Sequence, residues 1–95
     1  MITSKQRSHL RGMANKIPTI FQLGKEGISR NFLKQIDDAL EARELIKVNV
    51  LENSGLTARE ASDQICIELK CEGVQAIGSK FVIYRRSKEK PKIEI

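Results

Sequence analysis

The 95-residue sequence predicts a single compact α/β domain in which helices pack on a four-stranded mixed sheet. Segments with helical periodicity alternate with short β-prone segments in the order α-β-α-β-α-β-β. A strand, a helix and a second strand in succession usually form a parallel pair with a right-handed crossover. The last two strands are separated by two turn residues and therefore add antiparallel pairing. A chain of this size buries only about 60 to 65% of its unfolded surface, so one core is expected.

The first helix is predicted over residues 3–16. Thr3 and Gln6 have the spacing of a capping box, and Pro18 closes the segment. Between them, apolar residues recur at i, i+3, i+4 and i+7, namely Leu10, Met13, Ala14 and Ile17. The β-prone segment TIFQL at 19–23 follows and predicts a strand that ends at a glycine.

The rest of the chain alternates in the same way. Ser29 is placed to cap a second helix, and residues 45–51 alternate apolar and polar side chains as a half-buried strand does. A second capping box, Thr57 to Glu60, opens a third helix that we expect to end near Gly73. Residues 74–86 predict two strands around a type II′ turn at Gly78 and Ser79. We expect a domain over 1–86 and a basic, flexible tail over 87–95.

Composition excludes several protein classes. Apolar residues make up 40% and charged residues 31%, as in soluble globular proteins, and the longest apolar run, Phe81 to Tyr84, is far shorter than the roughly 20 residues of a membrane span. The N-terminal residues lack the apolar region of a signal peptide. Cys66 and Cys71 have neither zinc-site nor C-x-x-C spacing, so reduced thiols in a cytoplasmic protein are expected.

Charge is segregated along the chain. Residues 1–34 hold seven Lys or Arg and one acid, residues 35–73 hold four and nine, and residues 74–95 hold six and two. This pattern favours a basic face assembled from the two ends of the chain and a polyanionic partner. The alternative is that the basic residues only keep a small domain soluble.

A glycine loop, GKEG at 24–27, separates the first strand from the second helix. Such a corner leaves backbone N–H groups unpaired at the positive end of a helix dipole, and glycines let another backbone approach closely. Lys25 at its tip, with Arg30 and Lys34 along the helix, suggests a track for a phosphodiester backbone. A G-x-x-G motif is by itself common, and a simple tight turn is the competing interpretation; Glu26 would repel phosphate unless it points away.

The sequence does not predict an enzyme, a metal site or a cofactor. His9 is the single histidine and lies on a basic stripe of the first helix. The acids of the second helix are expected to form a solvated face rather than a carboxylate site; they are Asp37, Asp38, Glu41 and Glu44. Four aromatic residues leave little material for base stacking.

Five segments in order resemble one family: LRG at 10–12, LGKEGIS at 23–29, ELIKV at 44–48, QAIGSKFVIYR at 75–85 and the charged tail. Together they are similar to the bacterial YhbY family, the stand-alone form of the CRM domain of chloroplast RNA splicing and ribosome maturation. The resemblance implies an RNA-binding fold similar to the C-terminal domain of translation initiation factor three, associated with precursors of the large ribosomal subunit. It also implies that the loop Gly24, Lys25, Glu26 and Gly27 contacts RNA.

From the charge pattern we extend the candidate RNA-binding residues beyond that loop. They are Lys5, Arg7, Arg11, Arg30, Lys34, Arg85 and Arg86. The leading hypothesis is a monomeric ribosome assembly factor that binds ribosomal RNA without catalysis, with possible ribosomal protein contacts. Two alternatives remain open: a protein-interaction adaptor that uses its acidic middle segment on ribosomal particles, and a small basic DNA-binding protein.

Overall fold

The computed structural model describes residues 2–95 and confirms the predicted element order. The helices are α1 (Ser4–Ala14), α2 (Arg30–Arg43) and α3 (Ala58–Leu69), and a 3-10 turn covers Glu52–Ser54. The strands are β1 (Thr19–Leu23), β2 (Leu45–Val50), β3 (Glu72–Ile77) and β4 (Lys80–Tyr84). The radius of gyration, 12.4 Å, equals the value of about 12 Å that is typical of one compact domain of this length. No helix within residues 2–95 has the length and apolar character that crossing a bilayer requires.

The four strands form one mixed sheet in the order β1-β2-β4-β3. β1 pairs parallel to β2, with Leu23 opposite Val50, and β4 lies antiparallel between β2 and β3. The parallel pair is joined by α2, as the strand-helix-strand succession predicts. Consequently the carboxyl ends of β1 and β2 lie at the same sheet edge as the β3–β4 turn.

The three helices begin at the capping residues that the sequence predicts. Thr3 and Thr57 each form a complete capping box, and the Ser29 hydroxyl accepts the N–H of Phe32 at 3.0 Å. The end of α3 differs from the prediction. The helix stops at Leu69 because Lys70 adopts the left-handed conformation (φ +54°), and Gly73 already belongs to β3.

The sheet buries both of its faces. One face packs against α2 and α3 and carries the larger core, which includes Leu23, Ile36, Leu40, Val48, Ile65, Phe81 and Ile83. The other face packs against α1 and carries a smaller cluster of Leu10, Ala14, Leu45, Val74, Val82 and Tyr84. The alternation along β2 divides its side chains between these faces, so Leu45 faces α1 while Ile46, Val48 and Val50 face the larger core.

The β3–β4 turn has the predicted type II′ character. Gly78 has a φ of +60°, and Ser79 does not share the positive φ that a type I′ turn would require of it. The Ser79 carbonyl accepts the N–H of Val50 at 2.7 Å, so the turn is hydrogen-bonded to the end of β2.

The C-terminal residues 87–93 lie against the end of α2 in an arrangement that the sequence analysis did not anticipate. The Glu44 carboxylate, fully buried, accepts the backbone N–H groups of Ser87, Lys92 and Ile93 at 2.6 to 2.9 Å. The Glu41 carboxylate accepts the N–H groups of Lys88 and Glu89 and the Ser87 hydroxyl. The expectation that Glu44 belongs to a solvated face is therefore wrong, because it is fully buried and main-chain donors replace water around its carboxylate. The Glu41 side chain remains 35% exposed, although its carboxylate accepts the same kind of donors. The boundary at residue 86 and the flexibility of the tail remain predictions.

These hydrogen bonds lower the pKa of both carboxyl groups. At Glu41 the N–H of Lys88 and the Ser87 hydroxyl are the main causes, and they hold the pKa at about 2 although partial burial opposes them. At Glu44 burial raises the pKa, but the N–H groups of Ser87, Lys92 and Ile93 together outweigh burial and lower it.

Acidification should therefore loosen the contact between the tail and α2. Because the folded-state pKa of Glu41 is about 2 and that of the unfolded chain is near 4.5, its stabilising contribution is complete above pH 4.5 and is lost as the pH falls toward 2. The variant Glu41→Gln should be less stable than the wild type at pH 7 and should lose less stability between pH 4.5 and 2. Urea unfolding at several pH values measures this.

Glu68→Gln provides the matched control, since Glu68 is exposed on α3. Its acid dependence should equal that of the wild type. An unchanged acid dependence in Glu41→Gln would show that Glu41 does not hold the tail.

Candidate nucleic-acid interface

The loop between β1 and α2 is a tight turn closed by its two glycines. The N–H of Gly27 donates to the carbonyl of Gly24 at 3.0 Å, and the N–H of Ser29 donates to the carbonyl of Gly27 at 3.0 Å. Gly27 has a φ of +70°, which a residue with a side chain adopts only at a cost. Gly24 has no such requirement, so the two glycines have different structural roles.

Several backbone donors at this corner have no protein partner. Within residues 2–95 the N–H groups of Lys25 and Glu26 form no hydrogen bond with a backbone acceptor. Arg30 and Asn31 form the first turn of α2, where N–H groups have no intrahelical acceptor. The first turn of α2 contains no acidic residue that would neutralise the helix dipole. The corner therefore has the donors and the field that an anion requires.

Three candidate cations lie in the loop and on the first turns of α2. Lys25 and Arg30 are exposed and make no ion pair within the described residues. Lys34 is exposed as well and lies 3.4 Å from the Asp38 carboxylate, one turn further along α2. An exposed pair of this kind is weak, about 0.3 to 0.5 kcal/mol, so Lys34 can exchange Asp38 for another anion. Glu26 is exposed in the loop and is one of the residues that line the depression beside the turn.

A neighbouring loop borders Gly24. A Cβ atom added to Gly24 would lie 3.5 Å from Leu51 Cδ1 and 3.6 Å from Asn53 Oδ1, both in the segment that follows β2. A shallow depression of about 240 Å³ lies beside the turn, and polar side chains from β1 and α2 line it, among them Gln22, Ser29, Asn31 and Gln35. The corner is open to solvent, as contact with a macromolecule requires.

Two other candidate residues, Arg7 and Arg85, lie at the opposite end of the strands. Their side chains contact groups of the protein itself. Arg7 donates from Nε to the carbonyl of Gly73 at 2.9 Å, near the start of β3. The Arg85 side chain is 11% exposed, with its guanidinium nitrogens 3.3 Å from carboxylate oxygens of Asp37 and Glu41. This arrangement makes Arg85 a structural residue and argues against direct contact with RNA.

The remaining candidates are exposed but distant from the loop in the fold. Lys5 and Arg11 lie on α1, on the other face of the sheet from α2, and Arg86 follows the end of β4. The structure thus places Gly24, Lys25, Glu26 and Gly27 in one turn, with Arg30 and Lys34 on the first turns of the helix that follows it. The basic residues from the two ends of the chain do not all lie beside this loop, since Lys5, Arg7, Arg11, Arg85 and Arg86 lie elsewhere in the fold.

Sequence reasoning missed a set of polar side chains beside the loop. Gln22, Asn49 and Lys80 occupy neighbouring positions on three adjacent strands and line one depression of about 390 Å³. The alternation in β2 indicated that Asn49 faces away from the larger core, but the strand order that brings it beside Gln22 and Lys80 cannot be read from that pattern.

The titratable groups away from the loop include one close pair of cysteines. Residues 2–95 contain no group of three His, Cys, Asp or Glu side chains placed to hold a metal ion. The Cys66 and Cys71 sulfur atoms are 3.4 Å apart. Donation from the Cys71 thiol lowers the pKa of Cys66, and the same hydrogen bond together with burial raises the pKa of Cys71.

Comparison with known proteins adds independent information. A model of the CRS1/YhbY (CRM) domain matches residues 2–85. "Probable RNA-binding protein YqeI" of Bacillus subtilis is 43% identical over 95 residues, which cover 100% of this chain and 99% of that protein. An "RNA-binding protein" of Haemophilus influenzae is 35% identical over 88 residues, 93% of this chain and 89% of that protein. The solution structure of SAV1595 from Staphylococcus aureus superposes with a TM-score of 0.79 at 46% identity and covers 100% of this chain and 99% of its own.

The different roles of the two glycines lead to a stability prediction. Gly27→Ala should lower the free energy of unfolding by about 1 to 2 kcal/mol, because alanine at a φ of +70° meets its own backbone. Gly24→Ala is the matched control and should change stability by no more than about 0.5 kcal/mol, because its Cβ makes ordinary contacts. Urea unfolding of both variants measures the difference, and equal stabilities would contradict it.

Proposed function

The chain belongs to the CRS1/YhbY (CRM) domain family, and from that membership we propose that it is a non-catalytic RNA-binding protein whose Gly24–Gly27 loop contacts the RNA backbone. Two relatives that are at least 35% identical carry RNA-binding in their names, and both align with most of their length. We propose further that the RNA is ribosomal, in a precursor of the large subunit, and that the monomeric protein acts in the cytoplasm as an assembly factor.

The observation that carries this proposal is the open corner between β1 and α2. Its unpartnered N–H groups at Lys25 and Glu26 and the first turn of α2 offer donors to a phosphate oxygen. The missing Cβ atoms at Gly24 and Gly27 let a bulky phosphodiester backbone approach those donors. Lys25 and Arg30 add positive charge that no acid within residues 2–95 pairs.

The expected contacts are mainly to phosphates and 2′-hydroxyl groups. The protein has four aromatic residues; Tyr84 and Phe81 are buried, and Phe21 packs edge-on against Phe32. None of them forms an exposed stacking platform of the kind that binds successive bases. Backbone contact at the loop therefore provides affinity for RNA shape rather than for a long sequence.

The adaptor alternative loses part of its support in the structure. Asp37 and Glu41 pair with Arg85, and Glu44 is buried beneath the tail. Within residues 35–73 the exposed acids that could attract a basic protein are Asp38, Glu52, Glu60, Asp63 and Glu68. Two of them are paired, Asp38 with Lys34 and Asp63 with Arg59. RNase treatment before sedimentation of ribosomal particles separates the two functions, because an adaptor stays with its particle whereas an RNA-bound protein is released.

Salt dependence tests the proposed backbone contacts. If about four phosphates are engaged, affinity for a structured RNA should fall about 50-fold over a fourfold rise in salt, at a slope of about −0.7 per contact. Lys25→Ala should weaken binding and make the slope less steep by about 0.7, because one phosphate contact is lost. Filter binding at several salt concentrations measures both quantities, and competition with duplex DNA tests the DNA-binding alternative.

Lys90→Ala removes the same charge from the exposed C-terminal residues and should leave the slope at its wild-type value. If the folded Lys25→Ala variant has the wild-type dependence of affinity on salt, the loop is not part of the RNA interface. Equal effects of the two variants would mean that only net charge matters.

A further inference from the structure

A row of four side chains crosses the sheet beside the glycine loop. Gln22 on β1 is paired with Asn49 on β2, Asn49 with Lys80 on β4, and Lys80 with Ile77 on β3. Directly paired residues point to the same face of a sheet, and four strands span roughly 14 Å. We call Gln22, Asn49, Lys80 and Ile77 the strand-end row.

The strand-end row lies on the face that α1 covers only in part. Leu45, Val82 and Tyr84 on this face pack against α1, nearer the opposite end of the strands. By contrast, Gln22 and Lys80 are exposed, Asn49 is half-buried, and Ile77 is 68% exposed. An uncovered row on an otherwise packed face is available to a partner.

The chemistry of the row suits RNA. It combines two amides, one cation and one apolar side chain, and Lys47 adds a second cation on the same face, two residues before Asn49. No acidic residue belongs to the row or to the paired positions Thr19, Lys47, Val82 and Gln75 next to it. The row is also continuous with the glycine loop, because Gln22 precedes Gly24 by two residues on the strand that leads into it.

One hydrogen bond orients the central amide. The Ser79 hydroxyl donates to Asn49 Oδ1 at 2.8 Å, which directs the oxygen toward the turn. The Asn49 Nδ2 group donates to no acceptor within residues 2–95. Both of its hydrogens are therefore available to acceptors of a ligand, such as the carbonyl oxygen or ring nitrogen of an unpaired base.

We propose that the strand-end row binds the bases of a single-stranded RNA segment whose backbone is held by the glycine loop. Asn49 and Gln22 hydrogen-bond base edges, Ile77 contacts a base face, and Lys80 pairs with a phosphate. This inference rests on the proposed function and adds to it a base-contacting surface and a preference for unpaired nucleotides.

The test compares two RNA probes, a blunt hairpin and the same hairpin with a ten-nucleotide single-stranded extension. The wild type should bind the extended hairpin more tightly. Asn49→Ala and Gln22→Ala should each reduce affinity for the extended hairpin about three- to tenfold, with little effect on the blunt one. Their salt slopes should equal that of the wild type, because an amide contact to a base releases no counterion.

Gln64→Ala is the matched control, since it removes an exposed amide from α3 on the other side of the sheet and should change neither affinity. Ser79→Ala keeps the Asn49 amide but removes the hydroxyl that orients it. This variant should therefore show a smaller preference for the extended hairpin. Circular dichroism establishes that each variant is folded, and Gln22→Ala, at an exposed position, tests the row independently of Asn49.

The outcomes separate the two proposals. If the wild type binds neither probe, the proposed function fails and the inference with it. If the wild type binds RNA but Asn49→Ala and Gln22→Ala bind both probes as it does, the strand-end row is overturned and the loop proposal stands. Equal losses on both probes with a shallower salt slope would likewise overturn the row, since they indicate a backbone contact.

Discussion

Two backbone hydrogen bonds at the end of β2 determine the geometry on which the candidate interface depends. The N–H of Leu51 donates to the Leu23 carbonyl at 2.9 Å. The N–H of Val50 donates to the Ser79 carbonyl at 2.7 Å. Through them the last residues of β1, the last residues of β2 and the β3–β4 turn meet at one sheet edge. The glycine loop leaves β1 immediately beyond this point, so its position relative to Asn49 and Lys80 follows from main-chain pairing and not from the loop itself.

The opposite end of the sheet depends on a different kind of contact. Glu44 ends α2 with a φ of +66°, its N–H donates to the Leu40 carbonyl, and its own carbonyl accepts the N–H of Arg85. A positive φ at a residue with a side chain is unfavourable by about 1 to 2 kcal/mol. The three donors that surround the buried carboxylate stabilise this conformation, which links the end of the helix to the residues after β4.

Local signals in the sequence predicted most of the elements, because caps, alternation and turn chemistry act over a few residues. Thr57 with Glu60 began α3, and Gly78 with Ser79 formed the expected turn. Contacts between distant segments were not predictable in this way. The burial of Glu44 and the pairing of Arg85 with Asp37 and Glu41 depend on residues more than 40 positions apart. For the same reason the charge pattern identified the cations at the loop but not the row of side chains from four strands beside them.

The attachment of residues 87–93 to α2 uses main-chain N–H groups far more than side chains. Every residue type except proline presents an N–H group, so the amino acids at 88 and 89 are free to change while the attachment persists. Positions 92 and 93 are more restricted, because Lys92 Nζ also donates to the Ala42 carbonyl and Ile93 packs against the smaller core cluster. Positions 88 and 89 can therefore acquire new surface charge by substitution without a matching change in α2. Glu41 and Glu44, by contrast, cannot be replaced in this way, because their carboxylates are the acceptors of those N–H groups.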